Sequence, residues 1–382
     1  MKNKGRYCVI GVMSGTSLDG LDLALIEFVL DNKKWEYQLI STTTKSYTEQ
    51  WKKRLTEARL MKPEQLALLD LNYTYFLAEQ IQLFINENSD HTIDLISSHG
   101  HTVFHQPEQG LTFQIGNQKQ LADLLQHRVV CDFRVQDVAL GGQGAPLVPG
   151  GEFHLFSEYA ACVNLGGFAN ISLLGDSSPI AFDIAAANLI FNFYAHKLNL
   201  AYDAGGAIAS KGKIVKPLLD ELDALSFYNE ALPKSLGVEW LAQNVTPLLS
   251  SYEQESIPDL MHTYASHLAT QILKVLPDSG KILFTGGGTH NTFLMQLIQD
   301  KCSAQICIPS DTIIDFKEAM VFGFLGLLRS LGQHNCFASV TGSSRDHSSG
   351  VIFEIFKLYL RLNLYFRPQK KPQNPIFNFI RA

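Results

Sequence analysis

Twice along this chain of 382 residues, apolar strands interrupted by a glycine turn open a stretch in which strands and helices alternate. In the first half Arg6 to Met13 is an apolar run, Leu21 to Leu30 alternates with charges, and Trp35 to Thr44 continues after a turn at Asp31-Asn32. Helical spacing follows over Tyr47 to Leu60 and Pro63 to Asn88, with Pro63 suited to a first turn. A short buried strand, Asp94 to Ser98, runs into His99-Gly100-His101; a helix over Gln118 to His127 and a strand over Arg128 to Phe133 complete the half. The order then restarts with strands over Tyr159 to Leu165, Ala169 to Leu174 and Ile180 to Ile184. Helices are expected over Asn188 to Asn199 and Ile257 to Leu276, then a strand over Lys281 to Thr285 and a helix over Asn291 to Asp300. Phe316 to Leu331, apolar on most faces, is expected between the halves. This order predicts two α/β lobes facing a cleft, residues 1–150 and 151–350, followed by a basic tail over 351–382.

Between the halves, Ala139 to Gly151 has Gly and Pro at a density that breaks all periodicity, and it reads as a functional loop. With 37 acidic against 31 basic residues the net charge is −6, which argues against the basic footprint of a nucleic-acid binder. No apolar run approaches the ~18 residues that span a bilayer. Tyr7 to Met13, behind a basic start, is too short for a signal-peptide core and lacks a cleavage pattern, so a cytoplasmic protein without membrane partners is expected. Six scattered cysteines, none in a Cys-x-x-Cys pair, read as buried apolar side chains in a reducing compartment. His99, His101 and His105 lie close together but lack a thiolate or carboxylate at zinc-site spacing. From Ile355 to Ala382 there are six basic residues and no acidic ones; no function is assigned to this tail.

Three glycine turns carry the chemistry. The first, Gly11-Val-Met-Ser-Gly15-Thr-Ser-Leu-Asp19-Gly20-Leu-Asp22, joins two strands, and backbone N–H groups and hydroxyls in a tight turn form an anion-binding concavity. Without Gly-Lys-Ser/Thr or a helix directly behind it, it is not a P-loop. Asp19 and Asp22 would repel phosphate unless a cation lay between, which points to Mg²⁺. The second, Asn164-Leu-Gly166-Gly167-Phe-Ala-Asn170, also joins two strands. The third, Thr285-Gly286-Gly287-Gly288-Thr289-His290-Asn291, precedes a helix, where backbone approach and the helix N-terminus suit a nucleotide. Each alone is equally an ordinary turn. Together, in this order, they resemble the phosphate and adenosine motifs of actin/hexokinase-like ATPases. That resemblance implies a two-lobe, ribonuclease H-like α/β fold with an interlobe ATP and substrate cleft.

Ser98-His-Gly-His-Thr102, Asp132-Phe-Arg134, Gly141-Gly-Gln-Gly-Ala-Pro-Leu147 and Asn164-Leu-Gly-Gly167 narrow the resemblance further. In order, from about residue 8 to about residue 350, they closely resemble the anhydro-N-acetylmuramic acid kinase family. The resemblance implies a homodimer that opens the 1,6-anhydro ring of its amino sugar with water. In the same reaction it would phosphorylate O6 from ATP, with Mg²⁺, giving the 6-phosphate in peptidoglycan recycling. It implies Asp183 as the base that activates water, with sugar contacts from His99, Arg134, Asn188 and Glu318. For the nucleotide it implies Gly15, Thr16, Ser17, Leu18, Asp19, Gly20, Leu21 and Asp22 in the first turn, with Mg²⁺ near Asp19. In the other turns it implies Asn164, Gly166, Gly167, Gly286, Gly287, Gly288 and Asn291.

From the residues alone, Asp183 is equally a helix cap, Glu318 a first-turn acid favoured by the helix dipole, and Arg134 a surface partner of Asp132 or Asp137. Tyr202-Asp-Ala-Gly205-Gly206 reads as a further close approach to ligand, and Lys211 and Lys213 as surface. One segment departs from the family pattern: Ile184-Ala-Ala-Ala187 stands where Thr-Gly-Pro-Gly is usual. Rival readings are a kinase of the same fold acting on an ordinary sugar hydroxyl, an ATP-independent glycosidase with two carboxylates flanking the bond, and a non-catalytic nucleotide or sugar sensor.

Overall fold

The computed structural model describes residues 5–355. The basic tail expected beyond them lies outside the described residues. Among the described residues, twelve strands form two sheets with the same internal wiring. The first is built on β1 (Arg6–Ser14), β2 (Gly20–Asp31), β3 (Lys34–Ser46), β4 (Leu95–Gln106) and β6 (Val129–Cys131), with β5 (Leu111–Ile115) folded back on β4. The second is built on β7 (Ala161–Leu165), β8 (Phe168–Leu174), β9 (Pro179–Ala186), β10 (Lys281–Thr285) and β11 (Gln305–Cys307). In each, three strands run as an antiparallel meander and two more add in parallel beside the first, giving β3-β2-β1-β4-β6 and β9-β8-β7-β10-β11. This is the ribonuclease H-like topology twice over, the two-lobe arrangement of actin/hexokinase-like proteins.

The helices that matter to the site are α1 (Glu49–Glu57), α2 (Pro63–Glu87), α3 (Lys119–Leu125), α4 (Val135–Ala139), α5 (Val148–Leu155), α6 (Asn188–Lys197), α7 (Lys216–Asp223), α8 (Ile257–Val275), α9 (Thr292–Gln299) and α10 (Asp311–Ser330). The strict two-residue period of the strands splits the first sheet's side chains between two helices. Ile10, Val12, Leu21, Leu23 and Leu25 pack with Leu69, Tyr73 and Leu77 of α2 on one face. Val9, Ala24, Ile26 and Phe28 pack with Met320, Phe324 and Leu328 of α10 on the other. Buried on both faces, β1 reads as a continuous apolar run. In the second lobe Val163, Leu165 and Ile171 pack against α6, α8 and α9.

Four features differ from the sequence-based expectations. First, α10 starts five residues early, at Asp311, and packs on β1, β2 and β4; β12 (Val351–Phe353) then pairs with β6. The chain from α10 onward therefore returns to the first sheet, so 151–350 is not one lobe and 351–353 is not tail. The expected burial between the halves still holds, because the α10 cluster also takes in Cys162 and Leu283 of the second sheet. Second, β4 does not stop at Ser98 but runs to Gln106 and turns back as β5. Third, within the expected loop 139–151, Val148 onward is α5. Its glycines permit close packing: a Cβ on Gly150 would stand 2.4 Å from the Asn335 carbonyl oxygen, and one on Gly151 2.7 Å from Val321. Fourth, β9 does not stop at Ile184 but runs to Ala186, and Ile184–Ala187 is part of the core. Among the described residues no helix is long and apolar enough to cross a membrane.

Candidate active site

Between the sheets lies a cavity of about 740 Å³. Its walls come from the 143–149 segment and Glu152 of α5, from Asn164, Asn170 and Asp183 of the second sheet, from the 233–235 loop, and from Lys317 and Glu318 of α10. Asp183 sits on β9 directly opposite Asn170 of β8. Directly paired residues project to the same side of a sheet, so both reach the cavity. The carboxylate is fixed by the loop across from it: Oδ2 accepts from Leu236 N at 2.8 Å and Ser235 Oγ at 3.2 Å, while Asp183 N donates to the Lys234 carbonyl at 2.9 Å. Oδ1 takes no hydrogen bond from the described residues. Burial raises the pKa of Asp183 above the ordinary carboxylate value, and the two donors to Oδ2 only partly oppose this. The result is a half-buried carboxylate with enhanced basicity and one oxygen available. It does not cap α6.

Glu318 faces it from α10. Its side chain is exposed at the cavity wall, yet protein of both lobes encloses it at longer range, and that enclosure raises its pKa. Lys317 and Arg134 oppose the rise, while Asp22 and Glu152 add to it. Arg134 is held by two bonds: Nε donates to His99 Nε2 at 2.9 Å and Nη1 to the Gly144 carbonyl at 2.7 Å. An arginine N–H can only donate, so His99 Nε2 is the acceptor and Nδ1 carries the proton, which it donates to the Gly100 carbonyl at 2.9 Å. Burial, then the Arg134 charge, hold His99 well below its usual pKa, so it is neutral. It positions Arg134, with both ring nitrogens taken up by these two bonds. Two of the five guanidinium N–H groups serve these bonds, and the rest remain for an anionic ligand. Arg134 is thus no partner of Asp132 or Asp137 at the surface. Burial brings its pKa to about 10, and Glu318 is the first of the carboxylates that sustain its charge.

The first glycine turn is outside the residues lining the cavity but electrically joined to it. Asp22 accepts from Thr44 Oγ1 at 2.6 Å, and burial raises its pKa, with Asp315 and Asp19 adding to the rise. Three carboxylates in mutual repulsion beside an exposed glycine turn suit a cation–phosphate pair. Thr16, Ser17 and Asp19 are exposed there and Gly15 is half-buried. Gly20 and Leu21, by contrast, belong to β2: Leu21 is a core side chain, and Gly20 lies against the Lys45 carbonyl. Leu18 also packs on that core. The backbone of these three is engaged as well: Gly20 and Leu21 pair with Ser46 and Lys45 of β3, and Leu18 N donates to the Gly15 carbonyl at 3.4 Å.

The second and third turns are built against each other. Gly286 has φ +85°, and a Cβ there would stand 2.7 Å from Asn164 Oδ1 and 2.9 Å from Leu165 backbone, so only glycine fits. Gly288 abuts Leu165 in the same way, whereas a Cβ on Gly287 would meet nothing within 4 Å, leaving that backbone open. Asn188 donates through Nδ2 to the Leu165 carbonyl at 3.1 Å, and its N–H donates to the Gly166 carbonyl, so it fastens the second turn to the start of α6 and does not line the cavity. Asn291 caps α9, accepting from Leu294 N at 3.0 Å. The close approach permitted by Gly206 is to Asn291 and Phe293.

Sequence reasoning missed the cavity's second charged pair. Lys317 Nζ lies 2.8 Å from Glu152 Oε1 and 2.5 Å from Thr285 Oγ1, and Glu152 Oε2 accepts from Ser172 Oγ at 2.5 Å. Both side chains are 4% exposed. Burial disfavours the ammonium, but Glu152 outweighs it and holds the Lys317 pKa above its usual value. A lysine within an otherwise apolar helix was the available signal; nothing in sequence marks Glu152 or the Ser235-Leu236 clamp.

The family model described as anhydro-N-acetylmuramic acid kinase matches residues 7–355. Proteins of that name from Colwellia psychrerythraea and Pseudomonas fluorescens are 32% and 33% identical, each alignment covering 92% and 90% of this chain respectively and 98% of the relative. Among solved structures, a xylulose kinase from Lactobacillus acidophilus aligns over 85% of this chain and 90% of its own at 10% identity and a TM-score of 0.42, a likeness too low to bear on function. Matched over nine-tenths of its length by the family model and by relatives of the same name, the chain belongs to the anhydro-N-acetylmuramic acid kinase family.

Proposed function

We propose that this protein uses ATP and water to open the 1,6-anhydro ring of anhydro-N-acetylmuramic acid and phosphorylate O6, yielding N-acetylmuramic acid 6-phosphate and ADP. The carrying observation is Asp183, a carboxylate of raised pKa fixed through Oδ2 alone at the wall of an interlobe cavity. A water on Oδ1 would lose its proton to Asp183 as it attacks the anomeric carbon, and the departing O6 would take the phosphoryl group. General-base assistance of this kind is worth ~10²–10⁴-fold, and positioning with charge neutralisation supplies most of phosphoryl transfer.

Glu318, on the cavity wall, would meet the sugar hydroxyls, and Arg134, aimed by His99 and outside the lining residues, would reach the lactyl carboxylate with its remaining N–H groups. The 15–19 turn and the open backbone at Gly287 would hold the triphosphate, with Mg²⁺ near Asp19 and Asp22. ATP supplies the phosphoryl group and Mg²⁺ neutralises its charge; the chain's own part is to bind, orient and deprotonate. The Asn188 and Leu189 N–H groups hold Gly166 and Gly167 of the second turn at the start of α6, Gly286 and Gly288 seat the third turn against Asn164 and Leu165, and Asn291 sets the helix behind them. We include in this reading a cytoplasmic homodimer. Six free cysteines suit a reducing compartment, and sedimentation velocity reads the oligomeric state directly.

The decisive experiment is mass spectrometry of products formed from purified protein, ATP, Mg²⁺ and anhydro-N-acetylmuramic acid in ¹⁸O-labelled water. A product carrying both a phosphate and one ¹⁸O at C1 is expected. Phosphate without the label would mean an ordinary sugar kinase, label without phosphate a glycosidase, and no product a sensor or another substrate.

A further inference from the structure

Behind the cavity wall, where the loop after α4 meets residues 335–347, lies a second cluster that the reaction does not use. Asp137 is fully buried: Oδ2 accepts from Gly144 N at 2.7 Å, and Oδ1 from Thr341 Oγ1 at 2.7 Å and Cys336 Sγ at 3.1 Å. His347 is 4% exposed, and its Nε2 stands 3.6 Å from that same Oδ1 without a hydrogen-bond partner. Nδ1 lies 3.2 Å from the Arg345 carbonyl. A carbonyl only accepts, so Nδ1 carries a proton, and the neutral ring presents a bare lone pair at Nε2. A buried imidazole lone pair aimed at a carboxylate oxygen is unfavourable unless something positive lies between them. Among the described residues, this is the group whose thiol, imidazole and carboxylate ligand atoms all fall within 4.8 Å of one another.

We propose that Asp137, Cys336 and His347 bind one divalent cation, with Zn²⁺ the best fit. Sulfur, imidazole nitrogen and a single carboxylate oxygen form a zinc donor set, and the sulfur disfavours Mg²⁺ and Ca²⁺. Thr341 Oγ1, 3.9 Å from Sγ, is at hand for a fourth position. The step balances simply: the Cys336 thiol gives up its proton to solvent and the thiolate bonds to the metal. Burial and the adjacent Asp137 keep that thiol protonated without a cation, so binding weakens as pH falls. Because Asp137 anchors Gly144 while Thr341 and Gly342 line the cavity, the ion would tie two segments of the cavity wall together.

The test is titration of the full chain, stripped with a chelator, with Co²⁺ as a spectroscopic stand-in. Expected is a thiolate-to-cobalt charge-transfer band that saturates at one equivalent and bleaches on adding Zn²⁺. It should be lost in Cys336→Ser and in His347→Gln and kept in Cys307→Ser, whose thiol is half-exposed. Absence of the band, or its survival in Cys336→Ser, overturns the proposal. Should Cys336→Ser misfold by circular dichroism, His347→Gln decides: a band of undiminished intensity there overturns it equally.

Discussion

Asp183 joins two demands that pull against each other, an enclosed position and a negative charge. Because burial raises its folded-state pKa above that of the unfolded chain, the native state holds the proton more tightly. Stability therefore falls as pH rises through the interval between those two pKa values, and its cost is fully present at neutral pH. Asp183→Asn is expected to raise Tm at pH 7, since an amide oxygen can still accept from Leu236 N and Ser235. The same variant should lower kcat by ~10²–10⁴-fold while nucleotide affinity is unchanged. Calorimetry alongside an ADP-release assay checks both, and an active Asp183→Asn would remove Asp183 as the base. In the native enzyme the acid limb of kcat/KM should lie above the ordinary carboxylate range and disappear in the variant. At this scale the sequence pointed to Asp183, Arg134 and Glu318, but not to their partners. The Ser235-Leu236 clamp is 52 and 53 residues away from Asp183, and no local pattern encodes such a contact.

At the scale of elements, α10 matters most, because it forms the floor of the first sheet and carries Lys317 and Glu318 into the cavity. It comes closest at Gly11 of β1: a Cβ there would stand 1.9 Å from the Ala319 carbonyl oxygen and 2.8 Å from its carbon. Backbone cannot yield as a side-chain tip does. Gly11→Ala should therefore cost stability at or above the upper end of the ~1–3 kcal/mol seen for overpacked cores, and push Glu318 out of register. Urea unfolding with a KM measurement for the sugar checks this; an unchanged midpoint would mean that helix and strand slide apart freely. Gly11 was legible as part of a turn motif, while its actual task is packing. The same holds for Gly150 and Gly151, which read as loop punctuation and lie inside α5. Glycine signals both freedom and proximity, and a sequence does not say which.

Across the whole molecule, the buried Lys317–Glu152 pair links helices on the first sheet to Ser172 and Thr285 on the second. Removing one partner leaves the other's charge buried, which typically costs ~3–5 kcal/mol. Lys317→Met should lose about that much by denaturant unfolding, and Lys317→Met with Glu152→Leu should recover much of it. Equal losses in the single and double variants would show that packing, and not charge, carries the effect.

The duplicated order of strands and helices, the three glycine turns and the carboxylate at Asp183 were determined by sequence alone. Each is a local pattern: period, turn chemistry, or one residue in a motif. The return of α10 and β12 to the first sheet, the packing of the third turn against the second at Gly286 and Gly288, and the pairing of Lys317 with Glu152 were decided only in three dimensions. So was the cluster of Asp137 and Cys336, 199 residues apart. Side chains that far apart along the chain meet only because sheet packing closes the distance, and a buried charge or lone pair finds its partner only after the core around it has formed.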